Sequence, residues 1–297
     1  MAGLTAARLL SDAGHSVEVF ETRERIGGTC ADGPRGPLHG VHVFHTNDDA
    51  VWAFVQRFAE WTPTEHRVLA DTEIGRLPVP YWGSLADAEI VRVCFDGYTY
   101  KQWGKSWNDM PESIRARVPL RDKRLRYFTD EYEGMPGCGY SAMFEEMAKG
   151  LTINLNCHAE AWRTRARRRV LFTGRLDEVL SGPHLPFRSI WFQDITESPG
   201  AFVVNECRRE RPYLRTIDYS MSPVCPVARV VREFPAVCTG GAVPYYPIDE
   251  GRANQAVYRE RAESYGLVCF GRLADYRYYN MDQVVERAMS VVEKESP

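Results

Sequence analysis

Three histidines, His39, His42 and His45, stand three residues apart, with Asp48 and Asp49 close behind. Imidazoles and carboxylates this dense could ligate a divalent metal or shuttle protons. Residues 41–44 (VHVF) read as a strand, and side chains three apart on a strand face opposite sides, so the rings need not converge. A metal site at His39, His42, His45 and Asp48 therefore stays open beside the plainer reading of pocket-lining and loop histidines. A second set of residues suits a bound dinucleotide. Leu4, Ala7 and Leu10 fall at helical spacing over residues 1–13, and Gly14 sits where a helix C-cap belongs. Residues 16–21 (SVEVFE) form a short strand closing on Glu21, and Gly27-Gly28 follow in a turn. Helix, glycine, strand, terminal acid and Gly-Gly make up the second half of a dinucleotide-binding βαβ unit. In that unit Gly3 aligns with the third glycine of the phosphate loop, and the two earlier glycines and the first strand would precede Met1.

These residues need a scaffold, and composition allows one. The 297 residues are 44% hydrophobic and 26% charged, ordinary for one large or two modest globular domains. A formal charge of −3 gives no reason to expect nucleic acid or a membrane surface as partner. The basic run Arg163, Arg165, Arg167, Arg168 and Arg169 reads as a solvated arm leading into an apolar strand. Eight cysteines without a C-x-x-C pair, and no signal peptide, point to reduced thiols in the cytoplasm. Helices are expected over 48–59, 85–95, 107–117, 140–149, 254–265 and 281–293, with strands at 152–155, 170–173, 201–205, 228–234 and 267–271. Residues 62–82, with three prolines, read as loop with strand fragments.

Seven motifs occur in one order: HVFHTND (42–48), GYTYKQWGKS (97–106), PLR (119–121), DEYEGMP (130–136), PYLRTID (212–218), VPYYPI (243–248) and FGRLADYRYYNMDQV (270–284). In content and order they resemble the UDP-galactopyranose mutases, which contract a nucleotide-linked hexopyranose to its furanose using reduced flavin. The resemblance covers nearly the whole chain, and GYTYKQWGKS is its most specific part. It implies an α/β fold with a Rossmann-like domain of residues 1–60 and 235–297, here lacking the first strand. A substrate region of residues 61–234 would combine a shortened helical part (81–150) with a β-rich part (151–234) containing an antiparallel sheet.

The resemblance also implies roles. A diphosphate needs fixed cations, and arginine offers a planar fork of donors. Arg121, Arg215 and Arg272, with Tyr132, Tyr245 and Tyr278, would bind the diphosphate, while Tyr98 and Trp103 would line the nucleobase site. His42 and His45 are candidate acid/base or pocket residues, and Gly3, Glu21, Gly27 and Gly28 are cofactor-type positions. Asn280 stands where the family has an acid, Tyr100 where it has Glu, Arg175 where it has Pro, and residues 81–97 are shortened. With the phosphate loop absent, the expectation is a flavin-independent mutase of a GDP- or UDP-hexose, aided by Mg²⁺ or Mn²⁺, with FAD unused. A GDP-linked L-galactose-type sugar is the suspected substrate, and the assembly is open to a homodimer. The alternatives are a FAD-dependent mutase whose start lies further upstream, or a catalytically silent nucleotide-sugar-binding protein.

Overall fold

The computed structural model describes residues 1–158, 160–165, 168–239, 242–248 and 251–295. Its first half runs α1 (Ala2–Asp12), β1 (Glu18–Phe20), β2 (Phe44–Thr46), α2 (Asp49–Gln56), β3 (Trp61–Pro63), β4 (Val68–Thr72), β5 (Gly75–Val79) and α3 (Gly97–Trp103). The chain continues with β6 (Tyr132–Pro136), α4 (Tyr140–Ala148), β7 (Thr152–Asn154), β8 (Val170–Phe172), β9 (Phe187–Ile195), β10 (Val203–Glu206) and β11 (Arg215–Asp218). It ends with β12 (Val230–Val237), β13 (Tyr246–Pro247), α5 (Arg252–Ser264), β14 (Leu267–Cys269), α6 (Gly271–Ala274) and α7 (Met281–Glu295).

Two parallel pairs, β1 with β7 and β8 with β14, make up the nucleotide-type half. Parallel pairing requires crossover connections, and α1 is packed against α7 and α4 beside them. Leu4, Ala6 and Ala7 of α1 are buried, and Phe54, Val55, Phe144 and Met147 from α2 and α4 complete one apolar core with Leu4. Asp48 caps α2, its carboxylate accepting from the backbone N–H of Ala50 and Val51.

The other half is a seven-stranded sheet in the order β13-β9-β12-β11-β10-β4-β5. All neighbours in it are antiparallel except β10 and β4. The antiparallel sheet expected for the substrate region is present, and it reaches into 68–79. That stretch, read from its prolines as loop with strand fragments, is a regular hairpin: Pro78 sits near the end of the outer strand β5, where a missing donor is tolerated. β9 was not foreseen at all, because Trp191 and Phe192 adjoin and blur a period of two. The strand expected at 41–44 lies at 44–46, and the helix expected at 107–117 is reduced to turns at 107–109 and 112–115. Helix 85–95 is realised as Asp87–Ile90 followed by a π-helical stretch, Val91–Asp96, leading into α3.

The described arginines of the basic run, Arg163, Arg165, Arg168 and Arg169, are exposed, as expected of a solvated arm, with Arg163 and Arg165 also engaged locally. Arg163 lies over the rings of Trp162 and Tyr265, and Arg165 pairs with Glu18 at 2.6 Å. Arg167 of that run lies outside the described residues.

Candidate functional site

The GYTYKQWG segment is fixed to the sheet by its own side chains. The Lys101 ammonium donates to three carbonyls, those of Glu206 (2.7 Å), Tyr213 (2.8 Å) and Arg208 (3.1 Å). Burial lowers its pKa to about 8, with Glu206 opposing the shift. Arg188 on β9 donates to the carbonyls of Lys101 and Gln102, both at 2.9 Å, where the end of α3 leaves acceptors free. At Gly97 a Cβ would lie 2.0 Å from the Cys207 carbonyl oxygen, so only glycine lets α3 approach the sheet this closely. Tyr98 and Trp103 are thereby held against the sheet.

Around them gathers a cluster of arginines and aromatic rings. On β11, Arg215 pairs with buried Glu233 of β12 (Nε–Oε2, 3.0 Å) and donates to the Tyr98 hydroxyl at 2.5 Å. Burial works against the charge of Arg215, but Glu233 and the neighbouring tyrosines raise its pKa and keep it a cation. Burial pushes the Glu233 carboxyl up, with Arg215 opposing. Trp103 packs on Tyr246 (4.6 Å between centroids) and Tyr278 (5.3 Å). Tyr278 lies between two guanidinium groups, Arg117 at 4.1 Å and Arg272 at 4.9 Å from its ring centroid. Burial would raise this phenol's pKa, yet Arg117, Arg272 and Arg215 together lower it below the ordinary value. Burial raises the phenols of Tyr98, Tyr127, Tyr245 and Tyr246 in the same region.

Arg117 was missed in the sequence. Four residues before Arg121 and outside every motif, it showed no signal beyond its proximity to PLR. It donates to the Tyr278 carbonyl at 3.2 Å and to the side-chain oxygen of Asn280. Among the described residues no carboxylate lies within ion-pair distance of it, because the position occupied by an acid in the resembled family is here a neutral amide. Glu233 was likewise missed, reading as one polar residue in an alternating strand.

Other expected residues lie elsewhere. Arg121 pairs with Asp87 at 2.6 Å and donates to the carbonyls of Gly83 and Leu85, bracing the shortened segment. Tyr132 donates to Asp49 at 2.7 Å and stacks on Trp52, against α2. Tyr100 is exposed beneath the guanidinium of Arg209, and Arg175 pairs with Asp177. The three histidines diverge: His39 meets the Tyr245 hydroxyl at 2.5 Å, His42 the Thr29 carbonyl at 2.8 Å, and His45 the Asp130 carboxylate at 2.7 Å while stacking on Phe128. Asp48 is committed to its cap.

Beside the cluster opens a cavity of about 1430 Å³ whose wall includes Gly3, Glu21, Gly27, Gly28, His42, Tyr245, Arg272 and Asn280. Tyr245, Arg272 and Asn280 thus join the cavity to the arginine–aromatic cluster. Arg272 donates to the carbonyls of Tyr245 and Tyr279, both near 3 Å or less, and burial lowers its pKa. Gly27 and Gly28 turn the chain with φ of +102° and +61° at the cavity wall. An acid at the end of β1, this glycine pair and the opening of an eleven-residue helix all front one cavity, a donor set that fits a dinucleotide.

Residues 93–278 match the family model described as UDP-galactopyranose mutase, which is more than half of the chain. The chain belongs to the UDP-galactopyranose mutase family. Residues 1–58 match the model of an NAD(P)-binding Rossmann-like domain. A Klebsiella pneumoniae protein described as a probable UDP-galactopyranose mutase is 28% identical over 98% of this chain and 91% of its own length. A dTDP-fucopyranose mutase of Escherichia coli is 26% identical over 97% of this chain and 94% of its own. The crystal structure of a reduced UDP-galactopyranose mutase superposes with a TM-score of 0.71, 13% identity and coverage of 99% and 93%, so the α/β fold is shared. As a member of the UDP-galactopyranose mutase family the chain is an enzyme, an isomerase of nucleotide sugars.

Membership corrects the cofactor expectation. A divalent cation in place of FAD is overturned by the Rossmann-like match at 1–58 and by the mutase relatives, for which the resemblance implies flavin. Among the described residues no group of three or more His, Cys, Asp or Glu side chains is placed to hold a metal ion, the histidine cluster included. No helix among them is long and apolar enough to cross a membrane.

Proposed function

We propose that this protein interconverts the pyranose and furanose rings of a nucleoside-diphosphate hexose with the help of bound FAD. The observation that carries the reading is the junction of the two sites: Arg272 and Tyr245 wall the dinucleotide-type cavity, and Arg272 also flanks Tyr278 in the arginine–aromatic cluster. Glu21, Gly27, Gly28 and the start of α1 would hold the dinucleotide. When bound, the flavin supplies nucleophilic catalysis at the anomeric carbon.

The chain's own residues handle the leaving group and the protons. Arg215, Arg272 and Arg117 neutralise the departing diphosphate, the largest available lever on the anomeric C–O bond. The Tyr278 hydroxyl, made more acidic by three guanidinium groups, is a strong donor to a phosphate oxygen. Tyr98 and Trp103 present flat faces to the base. His42, with its pKa lowered to about 4 by burial, stays a neutral imidazole and orients a hydroxyl by hydrogen bonding.

The relatives named for UDP-galactopyranose and dTDP-fucopyranose favour a pyrimidine nucleotide, and the GDP-linked L-galactose reading gains nothing from them. All eight cysteines are free thiols, which suits a cytoplasmic enzyme. The test is turnover of UDP- and dTDP-hexoses by the purified protein with reduced FAD, resolved by chromatography, with and without EDTA. Interconversion that needs reduced flavin and resists EDTA is expected. No furanose–pyranose exchange with any of these sugars, in protein that retains bound flavin, would sink the proposal.

A further inference from the structure

The segment that carries both Arg272 and Tyr278 is fixed from behind by Asp275, a residue outside the proposed chemistry. Asp275 is 3% exposed, and a carboxylate so enclosed needs its acceptors filled. Four groups fill them. The Gly271 N–H donates at 3.1 Å from the start of α6, Arg287 of α7 at 3.0 Å, Arg259 of α5 at 3.2 Å and the Tyr279 hydroxyl at 3.3 Å. α5, α6 and α7 are thus tied to one point beside the arginine–aromatic cluster.

Tyr279 is gripped at both ends. Its carbonyl accepts from the Arg272 guanidinium (Nε, 3.1 Å), and its hydroxyl donates to Asp275. Before it, Tyr276 turns the chain through the left-handed region with φ of +51°, a conformation that a tyrosine keeps only where its surroundings impose it. The side chain of Tyr276 is buried, and its hydroxyl lies 2.8 Å from the Ile248 carbonyl. The chain after α6 therefore folds back, and the ring of Tyr278 meets the guanidinium of Arg272. Both stand three residues from Asp275, one on either side.

We propose that Asp275 is a positioning residue for the junction of the two sites: through Gly271 and Tyr279, its carboxylate sets where Arg272 and Tyr278 stand. It does not line the cavity, and it acts through these neighbours alone. The consequence for the diphosphate rests on the mutase reading, since the contacts proposed for Arg272 and Tyr278 would then be set together.

Removing the charge of Asp275 acts on the Tyr278 phenol in two ways of opposite sign. A lost negative charge by itself favours the phenolate and lowers the pKa. Parting Arg272 from Tyr278 withdraws a neighbouring cation and raises it. The sign therefore separates positioning from a plain change of charge.

The experiment titrates Tyr278 in the ligand-free protein, by NMR of tyrosine labelled at the ring carbon that bears the hydroxyl, with Tyr278→Phe assigning the resonance. In Asp275→Asn the phenol pKa should rise by about half a unit or more. Tyr279→Phe keeps the carboxylate and removes one of its donors, so the rise should be smaller and in the same direction. A Tyr278 phenol that is unchanged or lowered in folded Asp275→Asn overturns the proposal. If Asp275→Asn does not fold, a phenol unmoved in Tyr279→Phe overturns it. The titration needs no substrate, so absence of sugar turnover leaves its outcome intact and the two readings fail separately.

Discussion

The arginine–aromatic cluster and the dinucleotide-type cavity adjoin, yet they are built from different material. The cluster is made of side chains: Arg215 on Glu233, Tyr278 between Arg117 and Arg272, Trp103 against Tyr246. The cavity is made largely of backbone, with glycine turns, a helix start and the strands β1 and β8 around open space. A side-chain site is preorganised by packing and ion pairs and is complete in the folded chain. A backbone site depends on what lies beside it, because its donors and acceptors are satisfied only by what binds there. The first should therefore be brittle to substitution, and the second responsive to what is added.

The largest effect should come from Arg215→Ala. It removes a cation from the diphosphate site and leaves Glu233 buried without its partner, a loss of about 3–5 kcal/mol of stability for a pair of this kind. Turnover should fall by roughly a hundredfold or more. Calorimetric nucleotide titration together with thermal unfolding checks both. Unchanged nucleotide affinity in a folded variant would break the assignment of Arg215 as a clamp.

A smaller and more pointed change is Arg117→Gln. Losing one charge-assisted contact should weaken nucleoside-diphosphate affinity about tenfold, or ~1.4 kcal/mol. Because Arg117 is the strongest influence lowering the Tyr278 phenol, that pKa should rise, which ultraviolet difference titration reads directly. Asn280→Asp should move the phenol in the same direction by neutralising Arg117 in place. If neither variant shifts the titration, Arg117 is structural and the cluster loses its third cation.

The smallest effect is on pH dependence. Burial lowers His39 and His42 to about 4 and His66 to about 3, so the folded chain holds all three neutral. In the unfolded chain they titrate near about 6.5. Below that value the unfolded state binds protons that the folded state refuses, so stability is full above about pH 6.5 and drains as pH falls toward 4. Denaturant midpoints should thus drop between about pH 7.5 and about pH 5, and His66→Leu should flatten the slope. A flat profile in the parent protein would show that the cavity side, which His42 borders, admits water freely.

Much of the cluster could be read from sequence because side-chain chemistry is written in residue types. Tyr98, Trp103, Arg215, Tyr278 and Arg272 announced themselves through ordered motifs, and the structure brings them together. Arg117 and Glu233 escaped because each acts through a partner distant in sequence. Arg121 and Tyr132 matched motifs yet are engaged elsewhere, by Asp87 and Asp49, in a region whose shortening a motif cannot describe. The α1–β1 unit was legible from helical spacing and Gly14. The hairpin of β4 and β5 was not, since prolines near a sheet edge mimic loop, nor was β9, whose adjacent aromatics obscure alternation. The histidine metal site left open in the sequence is not assembled, because His39, His42 and His45 each turn to a different partner.

Lys101 carries a last consequence. By gripping the carbonyls of Glu206, Arg208 and Tyr213 it ties α3 to the turn that joins β10 and β11. Tyr98 and Trp103 therefore ride on the same rigid body as Arg215, and the wall proposed to meet the base cannot drift independently of the cation proposed to meet the phosphate. The span between those two features acts as a fixed ruler. On the proposed reading, a nucleotide would be measured by its length from base to diphosphate before any contact with its sugar.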